Sequence, residues 1–551
     1  MTPSAPGSGR PTPATTPTDD VTARTGSRRA TRPSALALAL VAVMVAVTAC
    51  TAGGDGDDGD GGTRANSPRT LRVLASSELA DMEPVLEEAH KATGVTVRPT
   101  YAGTLDAVEQ IASGAAEKSY DAVWLSSNDY LRLRPDTAKK ITGETPIMTS
   151  PVALGLRPGA VAGLGWDPAK VTWSQIHQAV ADKKLGYGMT DPARSNSGFS
   201  ALVSIASGLS GAQSALTEKD VAAATPKLKE FFGGQKLTSG SSGWLATAWS
   251  RRTDVDALIN YESVLLNSAE KLTVVRPADG VVTADYPFTL LTSASPDAKQ
   301  AAASLTAHLR TPSAQRMITN RTLRRPVVPG VELAAPLTAD QRRELPFPGS
   351  RSVADGLLDA YENKLRRPSR TVYVLDTSGS MEGERLTRLR SALAELTGDF
   401  RDRETVTLMP FGSAVKQGEV RTYTVDPAAP QTAIDAMRAQ AGGLSASGGT
   451  AIYSSLKEAY EHLGTASDDD TFTSIVLMTD GENTDGEPAT AFDSFYRGQS
   501  PAQQRTPVFP ILFGDSDRTE LDHIASLTGG RLFDATKGSL DGAFEEIRGY
   551  Q

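Results

Sequence analysis

The stretch VYVLDTSGSM at residues 372–381 decides the fold of the C-terminal part of this chain. Its first four residues are apolar, which is typical of a strand that is buried on both faces of a parallel sheet. The polar residues that follow form the pattern D-x-S-x-S, from Asp376 to Ser380. In open α/β sheets, ligands bind in the crevice outside the carboxyl ends of the strands. The stretch therefore predicts an α/β domain with a ligand site at this strand end.

The side chains of the D-x-S-x-S pattern are suited to holding a metal ion. Alternation along an extended turn sends Asp376, Ser378 and Ser380 to the same side, which brings one carboxylate and two hydroxyls together. Gly379 allows a tight turn between them. Hard oxygen donors without Cys or His favour Mg²⁺ or Mn²⁺. A simple Asp/Ser turn gives the same pattern without a metal ion, so further ligands have to distinguish the two interpretations.

Two later segments supply such ligands. GGT at residues 448–450 precedes an amphipathic helical stretch, and the apolar run 474–478 ends in TDG at residues 479–481. Together with D-x-S-x-S, these segments resemble the metal-ion-dependent adhesion site of von Willebrand factor type A (VWA) domains. The resemblance implies one divalent ion, Mg²⁺ or Mn²⁺, held by Asp376, Ser378, Ser380, Thr450 and, through water, Asp480.

The resemblance covers residues 370–551 and implies a Rossmann-like, doubly wound VWA domain. Such a site leaves one coordination position open, which an Asp or Glu of a protein partner can fill. Because Asp480 is expected to act through water, only the carboxylate of Asp376 would bind the divalent ion directly, so the ion keeps positive charge that favours an incoming anion. Glu382 and Glu384, beside the motif, are expected to be solvated charges at the start of a helix rather than ligands.

Residues 70–345 show a different pattern, in which short apolar runs alternate with amphipathic stretches. The run 71–75, a helical stretch at 78–93 and a second run at 95–97 have the rhythm of β-α-β units. A parallel α/β architecture is expected from this rhythm.

The stretch LGYGMTDPARSNSG at residues 185–198 resembles the second-lobe loop of extracellular solute-binding proteins. Similar features occur at residues 259–263, near the usual return crossing between lobes, and at residues 284–287, in the first lobe. The resemblance implies a two-lobed fold like that of periplasmic binding proteins over residues 70–345.

The same loop predicts a site for a small anionic or polar ligand. Ser195 and Ser197 precede a predicted helix, whose free N–H groups can receive a carboxylate or oxyanion. Arg194 could add a bidentate contact, and the other lobe offers Thr104 at a helix start and Ser126 after the third strand. The alternative is that Ser195 and Ser197 are only N-cap residues, a role that Ser commonly fills.

The N-terminal residues have the features of an export signal. Arg residues precede an apolar run at residues 35–47, too short to span a bilayer comfortably. VTAC at residues 47–50 resembles the bacterial lipobox, which implies a signal peptide at residues 1–49 and lipid attachment at Cys50. The Gly- and Asp-rich residues 50–69 are predicted to be a flexible tether. The protein is therefore expected on the extracellular face of the membrane, and a plain secretory signal is the alternative.

A Pro-rich boundary with a short helical stretch, residues 346–369, is predicted to link the two domains. The net charge of −9 argues against nucleic-acid binding, which needs a basic surface. The single cysteine excludes disulfides within the chain and thiolate zinc clusters. The five His residues are scattered, and no hydrolase motif accompanies the predicted metal ligands, so an enzyme is not expected.

These observations favour a lipid-anchored binding protein. Its VWA domain is expected to bind a protein partner through the metal ion, and its N-terminal domain a small or extended ligand. The alternative is the substrate-binding component of an ABC-type uptake system, in which the VWA domain is accessory.

Overall fold

The computed structural model describes residues 69–464, 471–536 and 540–550. The described residues all belong to one compact unit. The predicted signal peptide at residues 1–49, and the predicted tether with Cys50 up to residue 68, lie outside the described residues.

The described residues form three sheets. Their strands, in chain order, are β1 (Arg69–Ser76), β2 (Val95–Ala102), β3 (Ala122–Trp124), β4 (Ile141–Pro146), β5 (Met148–Leu156), β6 (Tyr187–Thr190), β7 (Gln235–Ser239), β8 (Ala257–Tyr261), β9 (Thr273–Val275), β10 (Thr283–Ala284), β11 (Pro287–Leu291), β12 (Arg325–Pro326), β13 (Ser369–Asp376), β14 (Thr405–Phe411), β15 (Arg421–Thr424), β16 (Phe472–Thr479), β17 (Val508–Leu512) and β18 (Phe533–Asp534).

Helices connect and cover these strands. They are α1 (Glu83–Thr93), α2 (Thr104–Ala112), α3 (Ala115–Ser119), α4 (Asp129–Arg132), α5 (Pro135–Ala138), α6 (Pro158–Leu164), α7 (Trp173–Ala181), α8 (Asn196–Ser210), α9 (Glu218–Gly233), α10 (Ser242–Ser250), α11 (Glu262–Leu266), α12 (Pro296–Leu309), α13 (Pro312–Thr322), α14 (Arg351–Ala360), α15 (Glu384–Leu396), α16 (Pro430–Gly443), α17 (Ile452–Leu463), α18 (Ala489–Arg497), α19 (Arg518–Thr528) and α20 (Leu540–Arg548).

The first sheet has the order β2-β1-β3-β11-β4 and forms the first lobe. β1 pairs in parallel with both β2 and β3, whereas β11 runs antiparallel to β3 and β4. The alternation of apolar and amphipathic stretches thus produces the expected β-α-β start. The predicted helix at residues 78–93 begins with a short 3-10 turn at Ser77–Met82 before α1.

The second sheet has the order β10-β5-β8-β6-β7, with β9 and β12 also paired to β5, and forms the second lobe. β10 belongs to this sheet and β11 to the first, so the return crossing lies at residues 285–286. Residues 259–263, expected near that crossing, instead end β8 and begin α11 inside the second lobe. The two-lobed fold itself is confirmed.

The third sheet has the order β15-β14-β13-β16-β17-β18 and is parallel except for its edge strand β15. One face of the sheet packs against α15, α16 and α20, and the other against α17, α18 and α19. Helices on both faces of a mostly parallel sheet are the doubly wound arrangement that the sequence predicted.

Residues 346–369 contain α14, which continues through a π-helical turn at Tyr361–Leu365. The apolar side chains of this helix join the hydrophobic core of the solute-binding-like lobes: Val353, Ala354, Leu357, Leu358, Tyr361 and Leu365. The predicted linker is therefore packed against the first domain along its length.

The C-terminal domain packs directly on the second lobe. Trp244 of α10 lies 4.9 Å from the ring centroid of Tyr550 and 5.9 Å from that of Phe509, and its Nε1 donates to the carbonyl of Gly530. Such aromatic pairs stabilise an interface beyond the apolar area that they bury.

A buried ionic network joins the same two domains. Asp191, which follows β6 in the second lobe, lies 3.0 Å from Arg401 of the third-sheet domain and 3.9 Å from Arg366 at the end of the linker helix. Arg401 also pairs with Glu362 at 3.1 Å. The second lobe, the linker helix and the third-sheet domain are thereby joined by ion pairs, which are stronger in this buried environment than in bulk water.

Candidate functional site

The five predicted metal ligands lie at one end of the third sheet. Asp376 is the last residue of β13, and Asp480 follows the last residue of the neighbouring strand β16. Parallel neighbours end at the same edge, which is why residues a hundred positions apart in the chain come together. Both residues are buried, with 0% and 1% exposure.

Neutral hydrogen-bond donors hold the carboxylate of Asp376. The backbone N–H of Ser378 donates to Oδ1 at 2.8 Å, and Thr479 Oγ1 donates to Oδ2 at 2.6 Å. Burial is the largest influence on this group and raises the pKa of Asp376, which these bonds partly offset. These neutral donors orient the carboxylate, and no ion pair neutralises it in the part of the chain that the structure describes.

A chain of hydroxyls runs from the motif to Asp480. Ser378 Oγ lies 2.9 Å from Ser380 Oγ, and Ser380 Oγ donates to Asp480 Oδ1 at 2.8 Å. Ser380 is exposed, so the chain reaches the protein surface. The N–H of Gly379 donates to the carbonyl of Gly448, which ties the motif to the loop before α17.

Thr450 lines the same space. A Cβ placed on Gly481 would lie 3.8 Å from Thr450 Oγ1 and 4.0 Å from Ser380 Oγ, so both hydroxyls flank this glycine. The backbone N–H of Thr450 donates to Thr484 Oγ1 at 2.9 Å and fixes the loop. Two carboxylates and three hydroxyls are thus brought together, as the sequence predicted.

This donor set fits a hard cation. Oxygen donors with few carboxylates are what Mg²⁺ uses when it keeps several water ligands. Across the described ranges, no group of three or more His, Cys, Asp or Glu is suited to a metal ion, so a metal site there depends on hydroxyl groups. Glu382 and Glu384 are exposed, as expected for solvated charges.

Sequence reasoning missed Arg385, in the first turn of α15. Its Nη1 donates to Asp480 Oδ2 at 2.6 Å, and its Nη2 donates to Asp515 Oδ2 at 2.6 Å. Both bonds raise the pKa of Arg385. A cation in the first turn of a helix interacts unfavourably with the helix dipole. The position of Arg385 was therefore the feature of the sequence that could have predicted an acidic partner for it.

The predicted ligand residues of the other domain lie where the two lobes meet. Asn196 of the second lobe donates through Nδ2 to Ser76 Oγ of the first lobe at 2.5 Å. The N–H of Ser126 donates to the same Ser76 oxygen at 3.0 Å. Ser195 occupies the N-cap position of α8 without a side-chain cap bond, because its Oγ lies 3.2 Å from Ser197 Oγ.

The remaining predicted residues flank this contact. Ser197 is buried and lies within hydrogen-bonding distance of Thr190 and Ser242. Arg194 lies 3.9 Å from Asp106 of the first lobe. Thr104 begins α2, directly after Gly103, and only its backbone position is described.

The sequence did not predict several further polar groups that lie between the lobes. Arg324 is fully buried and donates to both oxygens of Asp81 and to the carbonyl of Glu78. Within the described part of the chain, two buried oxygens here have no hydrogen-bond partner, Glu78 Oε1 and Asn196 Oδ1. A buried polar atom without a hydrogen-bond partner lowers the stability of the fold. A polar ligand or a water molecule at this place could form the missing hydrogen bonds.

Two family models match the chain. The model described as bacterial extracellular solute-binding protein matches residues 71–321, and the model of the von Willebrand factor type A domain matches residues 372–546. Both resemblances inferred from the sequence are thereby confirmed. No helix in the ranges that the structure describes is long and apolar enough to cross a membrane.

Curated relatives match the C-terminal domain at low coverage. Inter-alpha-trypsin inhibitor heavy chain H4 of Sus scrofa is 32% identical over 126 residues, which is 22% of this chain and 13% of that protein. Heavy chain H1 of Bos taurus is 27% identical over 200 residues, 34% of this chain and 21% of that protein. The chain thus spans only a small part of the length of these relatives.

Solved structures resemble each domain separately. The periplasmic binding protein AfuA of Actinobacillus pleuropneumoniae is 13% identical and covers 54% of this chain and 99% of its own, with a TM-score of 0.44. A von Willebrand factor type A structure from Catenulispora acidiphila is 20% identical and covers 33% of this chain and 42% of its own, with a TM-score of 0.27.

Proposed function

The chain carries a bacterial extracellular solute-binding domain followed by a von Willebrand factor type A domain, and we propose that it is a lipid-anchored extracellular binding protein. In this proposal the VWA domain binds a protein partner through one divalent metal ion. The observation that carries the proposal is the convergence of Asp376, Ser378, Ser380, Thr450 and Asp480 at one sheet edge.

The proposed metal site uses each of these residues differently. Asp376, Ser378, Ser380 and Thr450 would supply direct oxygen ligands, and Asp480 would act through water. A bound Mg²⁺ or Mn²⁺ would supply a positive centre with an exchangeable coordination position. The exposed Ser380 leaves that side of the site open to solvent, so an Asp or Glu of a partner can approach there.

Anchoring and ligand binding complete the proposal. Cys50 would carry the lipid and hold the protein on the extracellular face of the membrane. The solute-binding domain would take a small polar or anionic ligand between its lobes, where the buried oxygens Glu78 Oε1 and Asn196 Oδ1 have no hydrogen-bond partner among the described residues. We expect no catalysis, since neither domain type is typically enzymatic.

Metal-dependent capture tests the main proposal. The immobilised full chain, loaded with Mg²⁺, is incubated with an extracellular protein fraction, washed, and eluted with EDTA. We expect one or more proteins to elute from the wild type and not from Asp376→Ala, because that variant loses the one carboxylate that ligates directly. Mn²⁺ binding, measured by titration calorimetry, should be lost in the same variant.

A matched control is Asp435→Ala, which removes an exposed carboxylate of α16 on the same domain. It should bind Mn²⁺ and the eluted protein like the wild type. Capture that survives EDTA, or that Asp376→Ala retains, would show that the metal ion does not mediate binding.

The alternative is an uptake component with an accessory VWA domain. The unpartnered polar atoms between the lobes favour it, because they offer a transported solute a site independent of the metal ion. Thermal stabilisation of the full chain by small oxyanions such as sulfate or phosphate, unchanged in Asp376→Ala, would support this alternative.

A further inference from the structure

Arg385 is the feature of the VWA site that the proposed function does not use. Its guanidinium bridges Asp480 and Asp515 with two hydrogen bonds of 2.6 Å. With Ser380 Oγ on Oδ1 and Arg385 on Oδ2, both oxygens of Asp480 are occupied by groups of this chain. The side chain of Asp480 is 0% exposed, whereas that of Arg385 is 33% exposed, so the cation covers the carboxylate from the solvent side.

A metal ion at the proposed site would have to share Asp480 with this guanidinium. Two cations that approach one carboxylate repel each other, and the repulsion is stronger at a buried group than in bulk water. Among the described residues, no cationic side chain forms an ion pair with Asp376, which accepts hydrogen bonds from Ser378 and Thr479. Lys416 interacts with the charge of Asp376 but donates to the carbonyls of Thr377 and Ser445. Competition is therefore confined to one of the two carboxylates.

Asp515 gives the guanidinium a second place to bind. It lies in the turn after β17, and its side chain is 85% exposed. Gly514, with φ +59°, brings this turn against the site: a Cβ there would lie 2.9 Å from Asp480 Cβ and 3.3 Å from Arg385 Cζ. When the carboxylate of Asp480 rotates toward a metal ion or its water, Arg385 can remain paired with Asp515. The guanidinium then keeps one of its two acidic partners.

Resting on the proposed metal site, we propose that Arg385 is the resident counterion of Asp480 and sets the metal affinity of the VWA domain. The guanidinium lowers that affinity because it competes for Asp480, and Asp515 moderates the competition because it holds the other end of the same side chain. The two residues therefore act on metal binding in opposite directions.

The test is Mn²⁺ titration of the full chain by calorimetry, with free Mn²⁺ followed by electron paramagnetic resonance. Arg385→Gln keeps much of the length of the side chain and removes its charge, and should tighten Mn²⁺ binding about tenfold, since loss of one nearby like charge is worth roughly that factor at a partly buried site. Asp515→Asn leaves Arg385 to Asp480 alone and should weaken binding by about threefold.

Arg388→Gln is the matched control. Arg388 is an exposed cation of the same helix, and its guanidinium lies over the ring of Phe513, 4.9 Å from the ring centroid. Its variant should bind Mn²⁺ within twofold of the wild type. Thermal unfolding of every variant in EDTA separates a change in metal affinity from a loss of fold.

Each outcome decides between distinct conclusions. Equal affinity of wild type and Arg385→Gln, or weaker binding by the variant, would overturn the counterion role, and the latter would make Arg385 a residue that positions Asp480. Binding by Arg385→Gln alone would be its strongest support. If neither protein binds Mn²⁺, the proposed metal function fails, and the counterion role fails with it.

Discussion

At the scale of single residues, the two aspartates of the VWA site are prepared in different ways. Asp376 is held by a backbone N–H and a threonine hydroxyl, whereas Asp480 is held by a serine hydroxyl and a guanidinium. Neutral donors orient a carboxylate and leave its charge available to a cation, but a guanidinium compensates that charge. The two aspartates are therefore unequal as ligands of the proposed metal ion.

Asp285, at the return crossing between the lobes, makes the free energy of unfolding depend on pH. It is half-buried near Asp129 and Glu144, and burial, with those neighbouring carboxylates, raises the pKa of Asp285 to about 6 from its ordinary 3.8, against the pull of Arg132. A folded-state pKa above the unfolded value means that this group stabilises the fold only below about pH 4 and that the contribution is lost as the pH rises through 6.

Asp285→Asn should therefore raise the free energy of unfolding at pH 7.5 by up to about 2 kcal/mol, after allowance for its partial exposure. At pH 4 the variant and the wild type should be equally stable, because the wild-type carboxyl is then protonated. Urea unfolding at the two pH values measures this, with the exposed Asp297→Asn as control. An equal gain at both pH values would contradict the titration of Asp285.

At the scale of elements, the start of α2 in the first lobe contacts the loop before α8 in the second lobe. Gly103 precedes α2, and a Cβ at this position would lie only 2.4 Å from the carbonyl oxygen of Arg194 in the other lobe. The backbones of the two lobes therefore touch, and the hydrogen bond between Asn196 and Ser76 forms beside this contact.

Gly103→Ala should hold the lobes apart, since the added methyl group meets backbone that cannot rotate away. Small-angle scattering should show a larger radius of gyration for this variant than for the wild type. Gly159→Ala, at a glycine with nothing within 4 Å of the added carbon, should leave the scattering unchanged. Identical scattering of Gly103→Ala and the wild type would mean that the lobes close without this close approach.

At the scale of the whole molecule, the VWA domain is attached to the lobe that carries the predicted ligand loop. Asp191 lies within that loop, four residues before Ser195, and reaches Arg401 of the VWA domain. The C-terminal Gly549 lies beside the side chain of Arg194. The second lobe, the linker helix and the VWA domain thus share one interface.

Asp191→Ala should make the VWA domain unfold separately from the second lobe and the linker helix. Removal of one partner of a buried ionic network leaves the opposite charges unpaired and costs about 3 kcal/mol, and Arg401 and Arg366 would lose their shared carboxylate. Differential scanning calorimetry should show the VWA domain unfolding at a lower temperature than the rest. Asp359→Ala, which removes an exposed carboxylate of the linker helix itself, is the control. An unchanged single transition in Asp191→Ala would contradict the coupling.

The two fold types, and the five residues that meet at the sheet edge, could be predicted from the sequence alone. These follow from local patterns: an apolar run ends at Asp376, another at Asp480, and parallel strands end at one edge. Other features became known from the three-dimensional structure. These are the place of the return crossing, the bridge from Arg385 to Asp480 and Asp515, and the location of Arg324 and Glu78 between the lobes. Such contacts join residues with no common periodicity or spacing, so only the packing of the finished fold brings them together.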